Sequence, residues 1–325
     1  MTLPAAPRMI ALRWWPMSVR VGVAVTGWPF AGEDPEALFT YAARCEALGI
    51  DSLWLSERLA GPAPFLEPMV AIAAMAARTR RLKFGMSVLV LPARNPVVLA
   101  RQIATIDFLS GGRLLPAFGL GTDDPREQEA TGVPKAERAG RTDEAMALMR
   151  RLWTEDAVTH HGCYFHVTEV TVRPRPLLAH RAAWFGGRSE AALRRVARLG
   201  DGWLASAVTP EEVRAGVATI QRLAAEAGRA IEPDHYGVIL PYAITDDPDA
   251  VLKRVGAGLR RLRPDLAVED YALIGSAETC VARLERYITA GASKFVLRPV
   301  CPPEEMLPQL ELLAERVIVR VEDGR

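Results

Sequence analysis

The sequence predicts one (β/α)8 TIM barrel of the α/β class with long insertion loops, and three observations support this prediction. Eight short apolar segments alternate with eight segments of helical periodicity. The chain has 325 residues, 50% of them hydrophobic, so it can bury the large core that a closed barrel needs. An open doubly wound sheet usually has fewer strands and a different first glycine loop. We therefore expect residues 18–325 to form a single barrel domain.

The predicted strands are short and largely apolar, as in a parallel sheet that helices cover. In chain order they are Arg20–Thr26, Ser52–Leu55, Lys83–Leu91, Leu114–Phe118, Ala183–Phe185, Gly202–Ala205, Tyr236–Thr245 and Lys294–Pro299. The predicted helices show apolar residues at helical spacing. In chain order they are Pro35–Leu48, Glu67–Arg78, Pro96–Leu109, Glu137–Trp153, Glu190–Leu199, Pro210–Ala227, Ala277–Ala290 and Pro303–Arg316.

The run from residue 95 to residue 121 contains one complete helix and strand. Pro96 stands where a first-turn proline is tolerated, and Gly111-Gly112 end the helix. The strand Leu114–Phe118 is apolar on both faces, although Pro116 is awkward in a fully paired ladder. Glycines occupy positions 119 and 121, and a backbone without Cβ atoms at the carboxyl end of a parallel strand lets a flat ligand approach closely.

Two connections are longer than usual. The loop that follows Gly121 connects a strand to a helix, so we expect it to lie on the catalytic face of the barrel and to shape the pocket. The connection after Trp153 leads from a helix to a strand and belongs to the opposite face, where we expect a small hairpin. It contains His160, His161 and His166. This position favours a non-catalytic role for the three histidines.

Composition narrows the class of protein. A formal net charge of +1 gives no electrostatic basis for binding nucleic acid or an anionic membrane. The four cysteines are too few and too scattered for a disulfide framework or a zinc site, so we expect a reducing, cytoplasmic location and no metal. Residues 1–17 do not fit the repeat, and their apolar run is too short for a signal peptide or a membrane span. We interpret them as a loose N-terminal extension.

A glycine pair follows the fifth predicted strand. Gly186 and Gly187, followed by Arg188 and Ser189 at a helix start, are typical of a loop that binds a phosphate through backbone amides and the helix dipole. A plain helix start with Ser189 as N-cap is an equally simple interpretation. Arg298, at the end of the last strand, is a second candidate phosphate ligand, with a surface ion pair as its alternative.

Several motifs occur in an order that is typical of one known family. They are LGIDSLWLSE, RLKFGMSVLVLPARNPVVLARQIATIDFLSGGRLLPAFGLG, RTDEAMALMRRLWT, RPRP and WFGGRSEAALRRVARLGDGW, together with a glutamate and a glycine spaced as Glu127 and Gly132. On these motifs, residues 18 to about 300 resemble the bacterial luciferase-like monooxygenase family. They are most similar to its branch of oxidoreductases that use the deazaflavin coenzyme F420.

The resemblance implies a barrel that binds FMN or coenzyme F420, with the ring over the barrel mouth and the phosphate near the fifth and later strands. Ser87 and Val88 match a bulge where relatives often have a non-prolyl cis peptide bond. Gly119 and Gly121 match the strand that the ring approaches. The phosphate loop is matched by Gly186, Gly187, Arg188 and Ser189. The resemblance also implies a homodimer, a small-molecule substrate and, as a further partner, a separate flavin or deazaflavin reductase.

The departures from the family pattern concern the catalytic groups. Many deazaflavin relatives carry an Asp-His pair after the second strand, whereas this chain has Ser56, Glu57 and Arg58. A buried Glu57 can act as a base and Arg58 can hold an anion, so both are candidate catalytic residues, with mutual or neighbouring ion pairs as the alternative. Sugar-phosphate dehydrogenases of the family have an acid where this chain has Thr122, which disfavours that activity.

Three functions remain open. The leading hypothesis is a flavin or deazaflavin oxidoreductase or monooxygenase, in which the cofactor supplies the chemistry and the protein binds, orients and excludes water. The second is a cofactor-free lyase or isomerase. It needs a lysine at the end of a strand, but Lys83 and Lys294 stand at strand starts. The third is a flavin-binding protein without turnover.

Overall fold

The computed structural model describes residues 18–61, 63–177 and 183–322. The extension predicted for residues 1–17 lies outside this part of the chain. The strands are β1 Arg20–Val25, β2 Ser52–Leu55, β3 Lys83–Met86, β4 Leu89–Val90, β5 Leu114–Leu115, β6 Ala117–Gly119, β7 Val158–His161, β8 His166–Val170, β9 Trp184–Gly186, β10 Gly202–Ser206, β11 Tyr236–Ile244, β12 Leu273–Gly275 and β13 Lys294–Pro299.

Eight parallel barrel strands pair in a closed ring. β3 and β4 are two halves of the third barrel strand, and β5 and β6 are two halves of the fourth. β3 pairs with β5, while β4 pairs with β6. The order then continues from β6 through β9, β10, β11, β13, β1 and β2 back to β3. The predicted (β/α)8 barrel is therefore confirmed.

The helices cover the outside of this ring. They are α1 Glu36–Ala47, α2 Pro68–Arg78, α3 Pro96–Ser110, α4 Pro125–Thr131, α5 Lys135–Thr154, α6 Glu190–Leu199, α7 Pro210–Glu226, α8 Pro248–Arg260, α9 Ala277–Thr289, α10 Met306–Leu313 and α11 Val319–Val321. A π-helical turn, Ala314–Ile318, joins the last two. Within the described part of the chain, none of the helices is long and apolar enough to span a lipid bilayer.

The two interrupted strands break at identifiable residues. The third barrel strand is broken at Ser87-Val88, where the peptide bond is cis, as the resemblance implies. The fourth is broken at Pro116, which has no N–H to donate to the ladder. Pro116 keeps one ladder contact, because its carbonyl accepts a hydrogen bond from the Trp184 amide over 3.0 Å.

Two insertions extend the barrel. The predicted hairpin is present as the antiparallel pair β7 and β8, and its tip lies against the first half of α5, where His160 Nε2 is 3.1 Å from Glu144 Oε1. The second insertion, residues 245–276, contains α8 and β12 and was not predicted. It follows β11, pairs with the end of that long strand, and has a small apolar core of its own.

Aromatic side chains fill the barrel interior. Trp54 and Trp184 are buried among small and aliphatic side chains. Each indole lies against a glycine of a neighbouring strand, because a Cβ atom at Gly85 or Gly202 would approach it to 2.2 Å or 2.5 Å. The larger core lies between the ring and the helices. The interior is thus a packed core, and open space remains at the two ends of the barrel.

Candidate active site at the mouth of the barrel

The carboxyl ends of the barrel strands surround a cavity of about 150 Å³, here called the mouth cavity. Its lining is polar on one side and apolar on the other. The lining residues are Thr26, Ser56, Ser87, Val88, Gly186, Gly187, Leu204, Ser206, Ala207, Ile239, Pro241, Leu262 and Arg298. Of the nine cofactor-binding residues predicted from the sequence, five line this cavity: Ser87, Val88, Gly186, Gly187 and Arg298.

Three hydroxyl groups form a row along the first three barrel strands. Thr26 Oγ1 lies 3.0 Å from Ser56 Oγ, which in turn is 3.5 Å from Ser87 Oγ. Thr26 and Ser56 were not predicted as site residues. A signal was available, since each of the three hydroxyls directly follows the last apolar residue of a barrel strand. In a barrel, such positions face the active site.

Val88 packs against the glycines of the next two barrel strands. A Cβ atom at Gly119 would lie 2.4 Å from Val88 Cγ2, and one at Gly186 would lie 3.1 Å from Val88 Cγ1. Gly119 therefore does not line the mouth cavity, because the Val88 side chain stands in front of it. Gly121 has a φ of +83°, and a Cβ atom there would meet Val90 at 2.9 Å. These two glycines are explained by the packing of the strand and need no ligand.

The loop after β9 brings backbone to the mouth cavity. Gly186 and Gly187 line the cavity, and Gly187 has a φ of +105°, a conformation that favours glycine. Ser189 is the N-cap of α6, with its hydroxyl accepting from the Ala192 amide over 3.3 Å. The Arg188 guanidinium points outward to the Leu262 carbonyl, 3.2 Å away. The two glycines of the loop thus face the cavity, while the side chains of Arg188 and Ser189 form hydrogen bonds with backbone groups of the protein.

Arg298 is the one ionisable side chain of the mouth cavity among the described residues. Its guanidinium makes no ion pair or hydrogen bond with another described residue. Burial lowers the pKa of this guanidinium below its ordinary value, and the neighbouring Tyr271 hydroxyl opposes that change. Partial burial of a cation without a counter-charge costs free energy, unless a bound anion neutralises the charge. Arg298 therefore fits an anionic group of a bound ligand.

A second cavity, of about 350 Å³, adjoins the first and is here called the α8 cavity. It lies between the mouth and the insertion that contains α8. The lining residues are Ala24, Thr26, Pro29, Val255, Gly258, Leu259, Leu262, Arg298, Pro299 and Val300. Thr26, Leu262 and Arg298 line both cavities, so they mark the place where the two spaces meet.

Arg263 holds the loop that carries Leu262. Its guanidinium donates to the Glu212 carboxylate over 2.8 and 2.9 Å, to the Asp265 carboxylate over 2.7 and 2.8 Å, and to the Ala207 carbonyl over 2.8 Å. Forked pairing of arginine with carboxylates fixes geometry as well as charge. The wall between the two cavities is therefore anchored to the start of α7.

Glu57 is buried beside the third barrel strand and does not line either cavity. Its carboxylate accepts a hydrogen bond from the Val90 amide over 2.6 Å and pairs closely with Arg94, which also contacts Glu67 at 2.7 Å. Burial raises the pKa of the Glu57 carboxyl, while Arg94 and the Val90 amide oppose the rise. These contacts favour the structural alternative for Glu57.

Arg58 lies at the rim, and its Nε is 3.9 Å from the buried Glu127 carboxylate. Glu127 also accepts a hydrogen bond from the Thr122 hydroxyl over 2.7 Å. In turn, the Thr122 carbonyl accepts a close hydrogen bond from Arg138. This network orders the loop after Gly121, and both the hydroxyl and the carbonyl of Thr122 are used in hydrogen bonds within the protein. Neither Arg58 nor Thr122 lines the mouth cavity.

The comparison with known families decides the classification. The sequence model described as luciferase-like monooxygenase matches residues 17–263. The chain belongs to this family. One relative is the F420-dependent glucose-6-phosphate dehydrogenase of Kribbella flavida. The two sequences are 27% identical, and the match covers 86% of this chain and 92% of the dehydrogenase. Other curated relatives are uncharacterised mycobacterial proteins, to which 51% of this chain is 38% identical. The match covers only 57% of the length of those proteins.

Solved structures share the luciferase-like fold at low identity. An F420-dependent secondary alcohol dehydrogenase, in complex with an F420-acetone adduct, superposes with a TM-score of 0.82 at 20% identity over 94% of this chain and 100% of that one. The oxygenating constituent of 3,6-diketocamphane monooxygenase from Pseudomonas putida, in complex with FMN, gives a TM-score of 0.76 at 19% identity over 94% and 99%. At this identity, the likeness establishes the barrel and not the substrate.

Proposed function

We propose that this luciferase-like chain is an oxidoreductase or monooxygenase that binds FMN or coenzyme F420 in the mouth cavity. Arg298 carries the proposal, because it has no counter-charge among the described residues and lines a cavity that also exposes the backbone of Gly186 and Gly187. Together these groups would hold an anionic part of the cofactor, and the hydroxyl row would face its polar ring. The bound cofactor would supply hydride transfer or oxygen activation.

The protein's own groups suit this division of labour. Among the described residues, the mouth cavity has no carboxylate, histidine or lysine, so the chain offers no strong general base there. Thr26, Ser56 and Ser87 can donate and accept hydrogen bonds and can pass a proton along their row. We propose Ser56, in the place where many deazaflavin relatives have the Asp-His pair, as the central member. Glu57 is then a positioning residue, because it holds the Val90 amide two residues beyond Val88.

Two alternatives are less well supported. A cofactor-free lyase or isomerase needs a base at the mouth, and Lys83 and Lys294 instead flank Asp51 at the opposite end of the barrel. A sugar-phosphate dehydrogenase is disfavoured because Thr122 is bound by Glu127 and the cavity lacks an acid. A flavin-binding protein without turnover shares the cavity and differs only in the absence of catalysis.

The test is a binding titration of the purified protein with FMN and coenzyme F420, each oxidised and reduced. We expect one of them to bind more tightly than about 100 µM, which corresponds to roughly −5.5 kcal/mol. Loss of a charged hydrogen bond costs about 1.5–3 kcal/mol, so Arg298→Met should weaken that binding about 10- to 100-fold. Arg214→Met, on the exposed side of α7, is the matched control.

Binding of neither cofactor would refute the proposal. If Arg298→Met and Arg214→Met bind the cofactor equally well, Arg298 is not a cofactor ligand. Turnover with the reduced cofactor, measured with and without oxygen, distinguishes hydride transfer from oxygenation. Binding without turnover under both conditions would favour the flavin-binding protein. If reduced FMN is the ligand, we also expect a separate reductase to supply it.

A further inference from the structure

We infer that the α8 cavity is the substrate site, that it takes an uncharged and mainly apolar organic molecule, and that Gly258 sets the size it accepts. The inference rests on the proposed function, because it assumes a cofactor in the mouth cavity beside it. It concerns the side of the mouth that is built by the insertion after β11.

The lining of the α8 cavity indicates the class of molecule. Eight of its ten lining residues are glycine, proline or aliphatic, and the two polar ones, Thr26 and Arg298, also line the mouth cavity. Arg298 is assigned to the anion of the cofactor, so no second cation remains among the described lining residues for an anionic substrate. Specific sites are mostly apolar with a few polar groups that fix orientation. Thr26 is the group left to bond one carbonyl or hydroxyl oxygen of the substrate.

The position of that oxygen suits a redox reaction. Thr26 lies where the two cavities meet, and its hydroxyl is 3.0 Å from that of Ser56. A substrate oxygen that bonds Thr26 therefore stands at the border of the cofactor space, while the apolar body extends under α8. The carbon that bears this oxygen would be the one that reacts.

Gly258 has no packing reason to be glycine. It lies inside α8, where glycine weakens a helix, and its φ is outside the left-handed region. A Cβ atom added at this position would meet no heavy atom within 4 Å. The neighbouring helical glycine is different, because a Cβ atom at Gly256 would approach the Arg260 guanidinium to 3.1 Å. Gly258 is exposed and is one of the residues that line the α8 cavity, so a larger side chain there can occupy part of the substrate space.

The experiment measures binding of uncharged 2-alkanones, from butanone to undecan-2-one, and of glucose 6-phosphate to the cofactor-saturated protein. Each added CH₂ buried in an apolar cavity is worth about fourfold in affinity. We expect the ketones to bind more tightly with length until the cavity is full, and glucose 6-phosphate not to compete. Gly258→Leu should weaken the longer ketones at least tenfold and Gly258→Ala less. Ala257→Leu, one residue along and exposed, should change nothing.

The outcomes separate the two proposals. Cofactor binding should be the same in the wild type and all three variants. If the cofactor binds but the ketones do not, or if Gly258→Leu and Ala257→Leu behave alike, the substrate inference is wrong and the proposed function stands. If glucose 6-phosphate binds more tightly than every ketone, the assigned substrate class is wrong. If neither FMN nor coenzyme F420 binds, and the ketones bind the cofactor-free protein with the expected Gly258 dependence, the proposed function fails and the apolar site remains.

Discussion

Hydroxyl groups line one side of the mouth of this barrel. Thr26, Ser56 and Ser87 lie on three neighbouring strands within 3.0 and 3.5 Å of one another. Hydroxyls do not titrate near neutral pH, so they keep the same donors and acceptors across the physiological range. They suit a reaction in which the cofactor performs the redox step and the protein only positions groups and passes a proton.

Removal of the central hydroxyl tests this interpretation. We expect Ser56→Ala to lower kcat about 10- to 100-fold, because the row loses its middle donor, while cofactor affinity changes less than about threefold. Stopped-flow turnover and cofactor titration measure the two quantities. Thr40→Ala, on the exposed side of α1, is the control for loss of a hydroxyl elsewhere. A variant that turns over at the wild-type rate would show that the row has no chemical role.

The opposite end of the barrel contains a buried ionic cluster. Asp51 pairs with Lys83 over 2.8 Å and lies in close contact with the buried Lys294. Burial alone would raise the pKa of the Asp51 carboxyl, but the two lysines hold it well below its ordinary range. We expect Asp51→Asn to lower the free energy of unfolding by about 3–5 kcal/mol, because it leaves Lys294 buried without a counter-charge. Urea unfolding at pH 7 measures this.

The contact between Asp51 and Lys294 also predicts how the free energy of unfolding changes at acid pH. A carboxyl whose pKa is lowered by folding stabilises the protein above its unfolded value of about 4, and this stability is lost as the pH falls below it. The free energy of unfolding of the wild type should therefore fall more steeply below pH 4 than that of Asp51→Asn. Parallel slopes in the two proteins would exclude this carboxyl as the source.

At the scale of elements, the third barrel strand shapes the floor of the mouth. Val88 follows the cis peptide bond and fills the space that Gly119 and Gly186 leave open on the next two strands. Valine has one strongly preferred rotamer, so it cannot easily turn aside. The glycines and the valine must therefore be considered together, as one packing unit across three strands.

Substitution of both members of this contact tests the unit. Gly119→Ala places a Cβ atom 2.4 Å from Val88 Cγ2. We expect it to destabilise the protein by about 1–3 kcal/mol, as overpacking does. Val88→Ala combined with Gly119→Ala should recover most of that loss. Gly258→Ala, where nothing is within 4 Å, should instead stabilise by about 1 kcal/mol. Denaturant unfolding of the wild type, the two single variants Val88→Ala and Gly119→Ala, the double variant and Gly258→Ala decides it, and additive single effects would argue against the contact.

The sequence predicted the barrel strands well because each is a short apolar run between turn residues. It missed the insertion after β11 for physical reasons. α8 contains Gly256 and Gly258, which weaken its helical pattern, and β12 is a three-residue strand that exists only by pairing with β11. The mouth residues Thr26 and Ser206 were missed because each is an isolated hydroxyl, and the position that such hydroxyls share at strand ends is visible only when several strands are compared. By contrast, Gly186 and Gly187 stood out as a pair at a helix start.

At the scale of the molecule, one side of the barrel exposes apolar side chains. Val70 on α2 and Val98 and Leu109 on α3 are 68%, 55% and 73% exposed, and the two helices lie side by side. Exposed apolar side chains on neighbouring helices are typical of an interaction site. We propose it as the interface of the homodimer that the family resemblance implies.

Charged substitutions on this face test the interface. We expect the wild type to elute as a dimer at micromolar concentration and Val98→Glu combined with Leu109→Glu to elute as a monomer, because buried charge opposes association. Light scattering coupled to size-exclusion chromatography measures the mass. Val319→Glu, an exposed valine on α11, is the control and should leave the dimer intact. A monomeric wild type would refute the interface.

The separate origin of the two cavities has a consequence for how such a protein changes. The mouth cavity lies at the ends of the barrel strands, while residues 245–276, which belong largely to a small core of their own, supply one side of the α8 cavity. Thr26, Leu262 and Arg298 are the described residues that line both cavities. Under the proposed function, grafting a different segment between Ile244 and Ala277 should therefore change the range of substrates and leave cofactor binding unchanged, which makes this segment the natural place for directed evolution to begin.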